Sequence, residues 1–327
     1  MILSWPRRQT RCFQHSSSYQ VLLMNEKVII AGGSGFIGSA LCSFLTQHGY
    51  QVVVLTRNPN AGLSNSNVSF IRWDSRSQGE WTESLEDAAG VINLSGENIG
   101  TGRWTRGKKE KIMTSRVQST KLLVEALNAA KIKPKKFIAG SAVGFYGSQG
   151  NEILTEISSP GDGFLAEVIK ATENEARNIT HDIQLIIIRT GIVLGCEGGI
   201  IPMLRRVFRY TGVTYFKVRN HWMSWIHLQD AIGAILHLLS SPDTQGIYNL
   251  TSPEPVKIRD FYKSISKAMN TIIWPAFPAF VAKAAMGEMA NETLLSSQRI
   301  IPDRLLQDKY RFKYISCRDA LNSILTS

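Results

Sequence analysis

A chain of 327 residues, 43 % of them hydrophobic, can bury one large α/β domain with an attached lobe, or two domains. Four scattered cysteines (Cys12, Cys42, Cys196, Cys317) exclude a disulfide framework and show no metal-ligand spacing, and no run reaches the ~18 uncharged apolar residues of a membrane span. The net charge of +11 is concentrated: eleven basic residues against Glu110 and Glu125 lie in 103–136, and three arginines lie in the first 23 residues.

Those first 23 residues (Arg7, Arg8, Arg11, a serine run, no acid) fit an organelle transit peptide, mitochondrial or plastid. The other reading is a start codon upstream of a true first residue at Met24, in a cytoplasmic protein of a reducing compartment. A strand pattern beginning directly after Met24 favours it. Residues 28–31 are short, apolar and closed by glycine, the pattern of a buried strand. Helical spacing follows over 36–48 (Ile37, Leu41, Phe44, Leu45), and Gly49 ends it. QVVVLT (51–56), VSFIRW (68–73) and GVINLS (90–95) predict strands two to four. A long helix is expected over 108–130, then strand five at KFIAGS (136–141), a helix over 164–179 and strand six at QLIIIRT (184–190). Continuous apolar strands alternating with amphipathic helices predict a doubly wound parallel sheet covered on both faces. After Gly195 the periodicity changes. The expected organisation is an extension over 1–24, a sheet domain over 25–240 and a smaller lobe over 241–327, to which 196–240 contributes.

Between strand one and the first helix stands GGSGFIG. Gly33, Gly35 and Gly38 fit G-x-G-x-x-G, and Gly32, Gly35 and Gly38 fit the same pattern shifted by one. A turn of this kind lets backbone N–H groups approach a pyrophosphate, and the helix N-terminus faces it. Gly32, Gly33, Gly35, Phe36, Ile37 and Gly38 are therefore candidate dinucleotide contacts; the alternative is a tight turn without a ligand. An NAD site wants an acid at the end of strand two, but this chain reads Leu55-Thr56-Arg57-Asn58 and has no acid between Glu26 and Asp74. Arg57 can pair with a 2′-phosphate, so the expected cofactor is NADP(H).

GGSGFIG, VINLSGENI, GSAVGFYG, RTGIVLG and WMSWIHLQDA occur in that order, and the tail reads YNLTSPEPV, then GEMANETLLSSQRIIPDRLL, then YRFKY. This sequence resembles the atypical short-chain dehydrogenase/reductases known as epimerase-family proteins, a sugar-nucleotide-epimerase-like group that closes with a domain of unknown function. The resemblance implies a Rossmann-like fold and cofactor contacts at Thr56, Arg57, Leu94, Ser95 and Arg116. The family's Tyr-x-x-x-Lys acid/base pair is not found. Tyr146 has Gly150 at that spacing, and in the other register the positions hold Leu165 and Ile169, with Lys170 one residue off. Tyr146 and Ser141 remain the candidate catalytic groups, against a structural tyrosine after strand five. Trp225 and Asp230 are expected to dock the small lobe, with His227 left open. Where family members carry a glycine-rich loop, this chain has YTGVTYFKVRNHW.

The expected function is an NADP(H)-dependent oxidoreductase or epimerase acting on a small carbonyl or sugar-like substrate. The alternative is an NADP-binding redox sensor or regulatory protein with little turnover. No membrane partner and no metal are expected. The basic window over 103–136 reads as the solvated face of a helix rather than a nucleic-acid site, because its apolar positions follow a buried stripe.

Overall fold

The structure, a computed structural model, describes residues 26–61, 67–100, 102–218 and 221–326. The N-terminal extension and Cys12 lie outside the described residues. Seven parallel strands form the central sheet: β1 (Lys27–Ala31), β2 (Gln51–Thr56), β3 (Val68–Arg72), β4 (Gly90–Asn93), β5 (Lys136–Ala142), β6 (Gln184–Thr190) and β7 (Gly246–Leu250). Their order is β7-β6-β5-β4-β1-β2-β3. The order reverses between β1 and β4, whose carboxyl ends pair at Ala31 and Asn93. A crevice at such a reversal is where open α/β sheets bind ligands.

Side chains alternate across a strand, so apolar runs feed two cores. Val28, Ile30, Val52, Val54, Ile138 and Ile188 meet helices α1 (Phe36–Gln47) and α5 (Leu228–Ser240) on one face. Ile29, Ala31, Val53, Val91 and Phe137 meet α2 (Arg106–Ala129) and the end of α3 (Phe164–Ala176) on the other. Arg106, Lys111 and Lys121 of α2 are exposed, while Lys108 pairs with Glu97 at 2.6 Å and Lys109 with Glu288 at 2.8 Å.

A third core joins α4 (Ile201–Thr211), α6 (Ile258–Ala268) and the terminal helix Cys317–Leu325 into the lobe. Two-residue strand pairs fasten the lobe to the sheet domain, for example Arg299–Ile300 against Ile153–Leu154. The boundary expected at residue 240 needs correction: β7 pairs with β6 and completes the sheet, so the sheet domain runs through Leu250. Asp230 joins the two parts, accepting backbone N–H groups of Lys313 at 2.6 Å and Tyr314 at 2.9 Å. Trp225 is fully buried and donates from Nε1 to the carbonyl of Glu254 at 2.9 Å. His227 caps α5, its Nδ1 accepting the N–H of Gln229 at 3.1 Å, and its ring lies 4.0 Å from that of Tyr314.

Candidate functional site

The glycine turn folds as its spacing requires. Gly32 has φ of +83°, a conformation L side chains rarely adopt, and a Cβ there would stand 2.8 Å from the backbone of Leu94 and Ser95. A Cβ on Gly38 would come within 2.2 Å of the Gly32 carbonyl, so glycine alone lets α1 start this close to the turn. Gly35 donates its N–H to that same carbonyl at 3.0 Å and stands at the N-cap without a side-chain hydrogen bond; the first turn of α1 holds no acid. The N–H groups of Phe36, Ile37 and Gly38 therefore keep the unpaired donors and positive dipole end of a helix start. An anionic oxygen is the group such a cradle accepts.

Four segments converge on the turn. Leu94 donates its N–H to Ala31 at 2.8 Å, holding the end of β4 beside that of β1. The Ser95 hydroxyl lies 2.6 Å from Oδ1 of Asn93 and 3.0 Å from the hydroxyl of Ser119 on α2. Asn93 is buried and donates to Thr120 at 3.1 Å. The guanidinium of Arg116 packs on Gly96, where a Cβ would stand 3.0 Å from Cζ. Its hydrogen bond to the carbonyl of Ile112 is 3.3 Å long, and among the described residues it forms no salt bridge. Arg57 is exposed just past Thr56 and likewise lacks a carboxylate partner among those residues, although its charge reaches Glu97. That carboxyl lies below its usual range because Lys108 donates to it and Lys111 and Arg57 add positive potential. Phe36 is covered by a loop: a Cβ on Gly198 would come within 2.4 Å of its ring, and one on Gly195 within 2.8 Å.

Tyr146 and Ser141, the two polar residues expected beside a nicotinamide, are held in one hydrogen-bonded network. Tyr146 has no exposed surface; its hydroxyl donates to Asn249 Oδ1 at 2.7 Å and accepts from Arg189 Nη1 at 3.0 Å. Burial raises its pKa against the opposing charge of Arg189. Ser141 donates to Glu173 Oε1 at 2.7 Å, and Glu173 takes a two-pronged ion pair from Arg189 at 2.8 and 2.9 Å. Burial works to raise the Glu173 pKa, but the hydrogen bonds and charge of Arg189 outweigh it and hold the carboxylate low. Leu165 and Ile169 carry no proton chemistry, and Lys170 donates to the carbonyl of Gly161 at 3.3 Å. The backbone N–H of Leu165, at the start of α3, donates to Glu292 of the tail at 3.2 Å.

A small cavity of about 60 Å³ lies between this network and the lobe. Its walls include Ile192, Ile200, Met223, Phe261, His221 and Gln298. Gln298 ties it to the end of β5, donating to the carbonyls of Val143 and Gly147 at 3.0 Å each. Lys, Arg, Asp and Glu are absent from the described lining residues. His221 is 7 % exposed, and among the described residues its buried Nδ1 has no hydrogen-bond partner. Burial lowers the His221 pKa against a hydrogen bond with the Ser296 backbone, so the ring is neutral near pH 7.

The sequence reading named Gly32, Gly33, Gly35, Phe36, Ile37, Gly38, Thr56, Arg57, Leu94, Ser95 and Arg116 as candidate contacts; the structure sets Leu94 and Ser95 against the Gly32 turn, Arg116 against Gly96, and Thr56 and Arg57 at the end of β2. It missed Asn93, Gly96 and His221. Asn93 had a signal available, since a buried polar residue at a strand end needs partners. His221 had none, because its burial comes from the tail.

Residues 28–251 match the NAD-dependent epimerase/dehydratase family, and residues 277–324 match a domain of unknown function, DUF1731. The chain belongs to the NAD-dependent epimerase/dehydratase family. An epimerase family protein of Mycobacterium leprae is 33 % identical over 300 residues, covering 91 % of this chain and 95 % of that protein. A chloroplastic homologue of SDR39U1 from Arabidopsis thaliana is 30 % identical over 94 % of this chain and 90 % of its own length. The structure of human epimerase family protein SDR39U1 with NADPH superposes with a TM-score of 0.84 at 28 % identity, covering 92 % of this chain and 99 % of that one. The alignments with these relatives run through both the sheet and the closing segment of this chain.

Proposed function

We propose that the chain binds NADP(H) across the carboxyl ends of β1 and β4 and serves as an oxidoreductase or epimerase on a small uncharged carbonyl or sugar-like substrate. The observation that carries this reading is the cradle at Gly32, closed by Leu94 and Ser95 and flanked by two guanidinium groups without carboxylate partners among the described residues. The backbone N–H groups of Phe36, Ile37 and Gly38 would take the diphosphate, Thr56 and Arg57 the ribose phosphate, and Leu94, Ser95 and Arg116 the middle of the molecule. NADPH in the human relative supports the same cofactor. When bound, the nicotinamide supplies or accepts the hydride, so the protein needs to position and shield more than to react.

In this reading Ser141 and Tyr146 act as positioning groups. Their hydroxyls are spent on Glu173, Arg189 and Asn249, which fix the end of β5 rather than exchange protons with a substrate. The His221 cavity is the candidate seat for the reacting end of the substrate. A neutral imidazole, with the hydroxyls of Ser224 and Thr293 and the amide of Gln298 in the same wall, offers uncharged hydrogen-bond partners that suit a carbonyl or hydroxyl.

The sealed phenol and the pair Leu165 and Ile169 favour a second reading, a dinucleotide-binding sensor with little turnover. Steady-state NADPH oxidation against a panel of small aldehydes and ketones separates the two. Substrate-dependent oxidation that falls in His221→Phe supports the enzyme. Tight NADPH binding with no oxidation on any compound leaves the sensor.

A further inference from the structure

Among the described residues no helix is long and apolar enough to cross a membrane. A protein that lies on a bilayer has different requirements: an exposed apolar face and a basic surround. Of the fourteen large hydrophobic side chains exposed among the described residues, nine fall in two segments, 203–210 and 272–281. On α4, Met203, Val207 and Tyr210 recur at helical spacing on an exposed stripe about a third of a turn from the core residues Leu204 and Phe208. In the second segment Trp274 is 52 % exposed and Phe280 69 %; Tyr210 on α4 is 82 % exposed.

Hydrogen bonds make these segments one surface. Val213 donates to the carbonyl of Ile272 and Trp274 to that of Val213, each at 2.8 Å. The Trp274 indole donates to the Thr211 carbonyl at 2.8 Å, and Phe216–Lys217 pairs with Phe277–Pro278. Helix Ala279–Met286 continues directly from that strand.

The charge carried by these segments is mostly basic, although Lys263 pairs with Asp260 at 3.9 Å and Glu288 follows Gly287 directly. No acid occurs between Gly198 and Gln229 or between Phe261 and Gly287 in the sequence. Over the same stretches Arg205, Arg206, Arg209, Lys217, Lys263, Lys267 and Lys283 are all exposed. A two-fold contact between copies would set these cations against each other, which disfavours self-association through this face. An anionic bilayer answers both features. Aromatic side chains such as tryptophan and tyrosine favour the headgroup level, and clustered arginine and lysine are drawn to negative lipid.

We propose that the face formed by α4 and residues 272–283 docks on an anionic lipid bilayer, with Trp274, Phe277 and Phe280 entering the interface and the arginines of α4 contacting headgroups. The proposal stands apart from the cofactor reading. The test is co-sedimentation of the full chain with vesicles of phosphatidylcholine alone and of phosphatidylcholine mixed with phosphatidylglycerol. Three proteins are compared: the unaltered chain, a Tyr210→Ser, Phe280→Ser double variant, and an Arg205→Gln, Arg206→Gln, Arg209→Gln triple variant. Thermal melting checks that each is folded. The expected result is binding to the anionic vesicles at least about tenfold stronger than to the neutral ones, weakened by raising salt from about 0.1 to about 0.5 M. Each variant should lose about tenfold in binding. Absence of binding to anionic vesicles, or binding indifferent to salt and to both variants, overturns the proposal. So does a dimer in light scattering that the Phe280 variant dissociates, because the face would then be covered by a second copy.

Discussion

In the proposed reading, Arg57 would distinguish two dinucleotides that differ by one phosphate. It stands exposed past the end of β2, with no acid near it in sequence and no carboxylate partner among the described residues. A charge-assisted hydrogen bond to phosphate contributes roughly 1.5–3 kcal/mol, or about tenfold to a hundredfold in affinity. Arg57→Ala should therefore weaken NADPH binding by that factor and leave NADH binding almost unchanged, as read by fluorescence titration with both cofactors. Equal loss for the two would remove Arg57 from the ribose phosphate. The glycine turn was legible because backbone conformation is a local property of a sequence. The environment of Tyr146 was not: its partners Arg189 and Asn249 lie 43 and 103 residues further along the chain.

Helix α3 and helix α5 carry buried charge chemistry that sets their stability. The carboxylate of Glu173 on α3 is buried, and its pairing with Arg189 on β6 leaves the guanidinium only 2 % exposed. Removing one partner of such a pair strands a buried charge, which costs about 3–5 kcal/mol. Glu173→Gln should lower stability by that amount in urea unfolding; a loss below about 1 kcal/mol would mean that the pair is solvated. At the N-cap of α5, His227 is buried, and burial, aided by Lys313, lowers its pKa from 6.5 to about 4. Because the folded value is depressed, the unfolded chain binds more protons between pH 6.5 and 4, so stability falls as pH drops through that window. From pH 7.5 to 5 the loss from this ring is about 2 kcal/mol. His227→Asn keeps an oxygen for the Gln229 N–H and should remove about that much of the pH dependence, measured by urea unfolding at both values. An unchanged slope would place the acid sensitivity elsewhere, with His221 and His237, whose pKa values burial also lowers. At this scale six of the sheet strands were readable as continuous apolar runs. β7 was assigned to the lobe, and pairs such as Trp222–Met223 with Val256–Lys257 were missed, since two residues carry no periodicity.

The whole molecule sets a glycine turn beside the ends of β1 and β4, with Arg116 against Gly96, Arg57 past the end of β2, and a small cavity in the lobe. The sheet and the turn were legible because their pattern is local and repeated. The cavity was not, because residues from β6's end, the α4 entry, α6 and the tail meet there only after the lobe has folded over the sheet. Ligand binding to the folded state alone also stabilises it, by about 2.7 kcal/mol at a hundred times the dissociation constant. The most direct test of the central claim is calorimetric titration of the full chain with NADPH and with NADH. Saturable heat with NADPH, at an affinity at least about tenfold above that for NADH, is the predicted result. No heat with NADPH, or equal affinity for the two, would contradict the account.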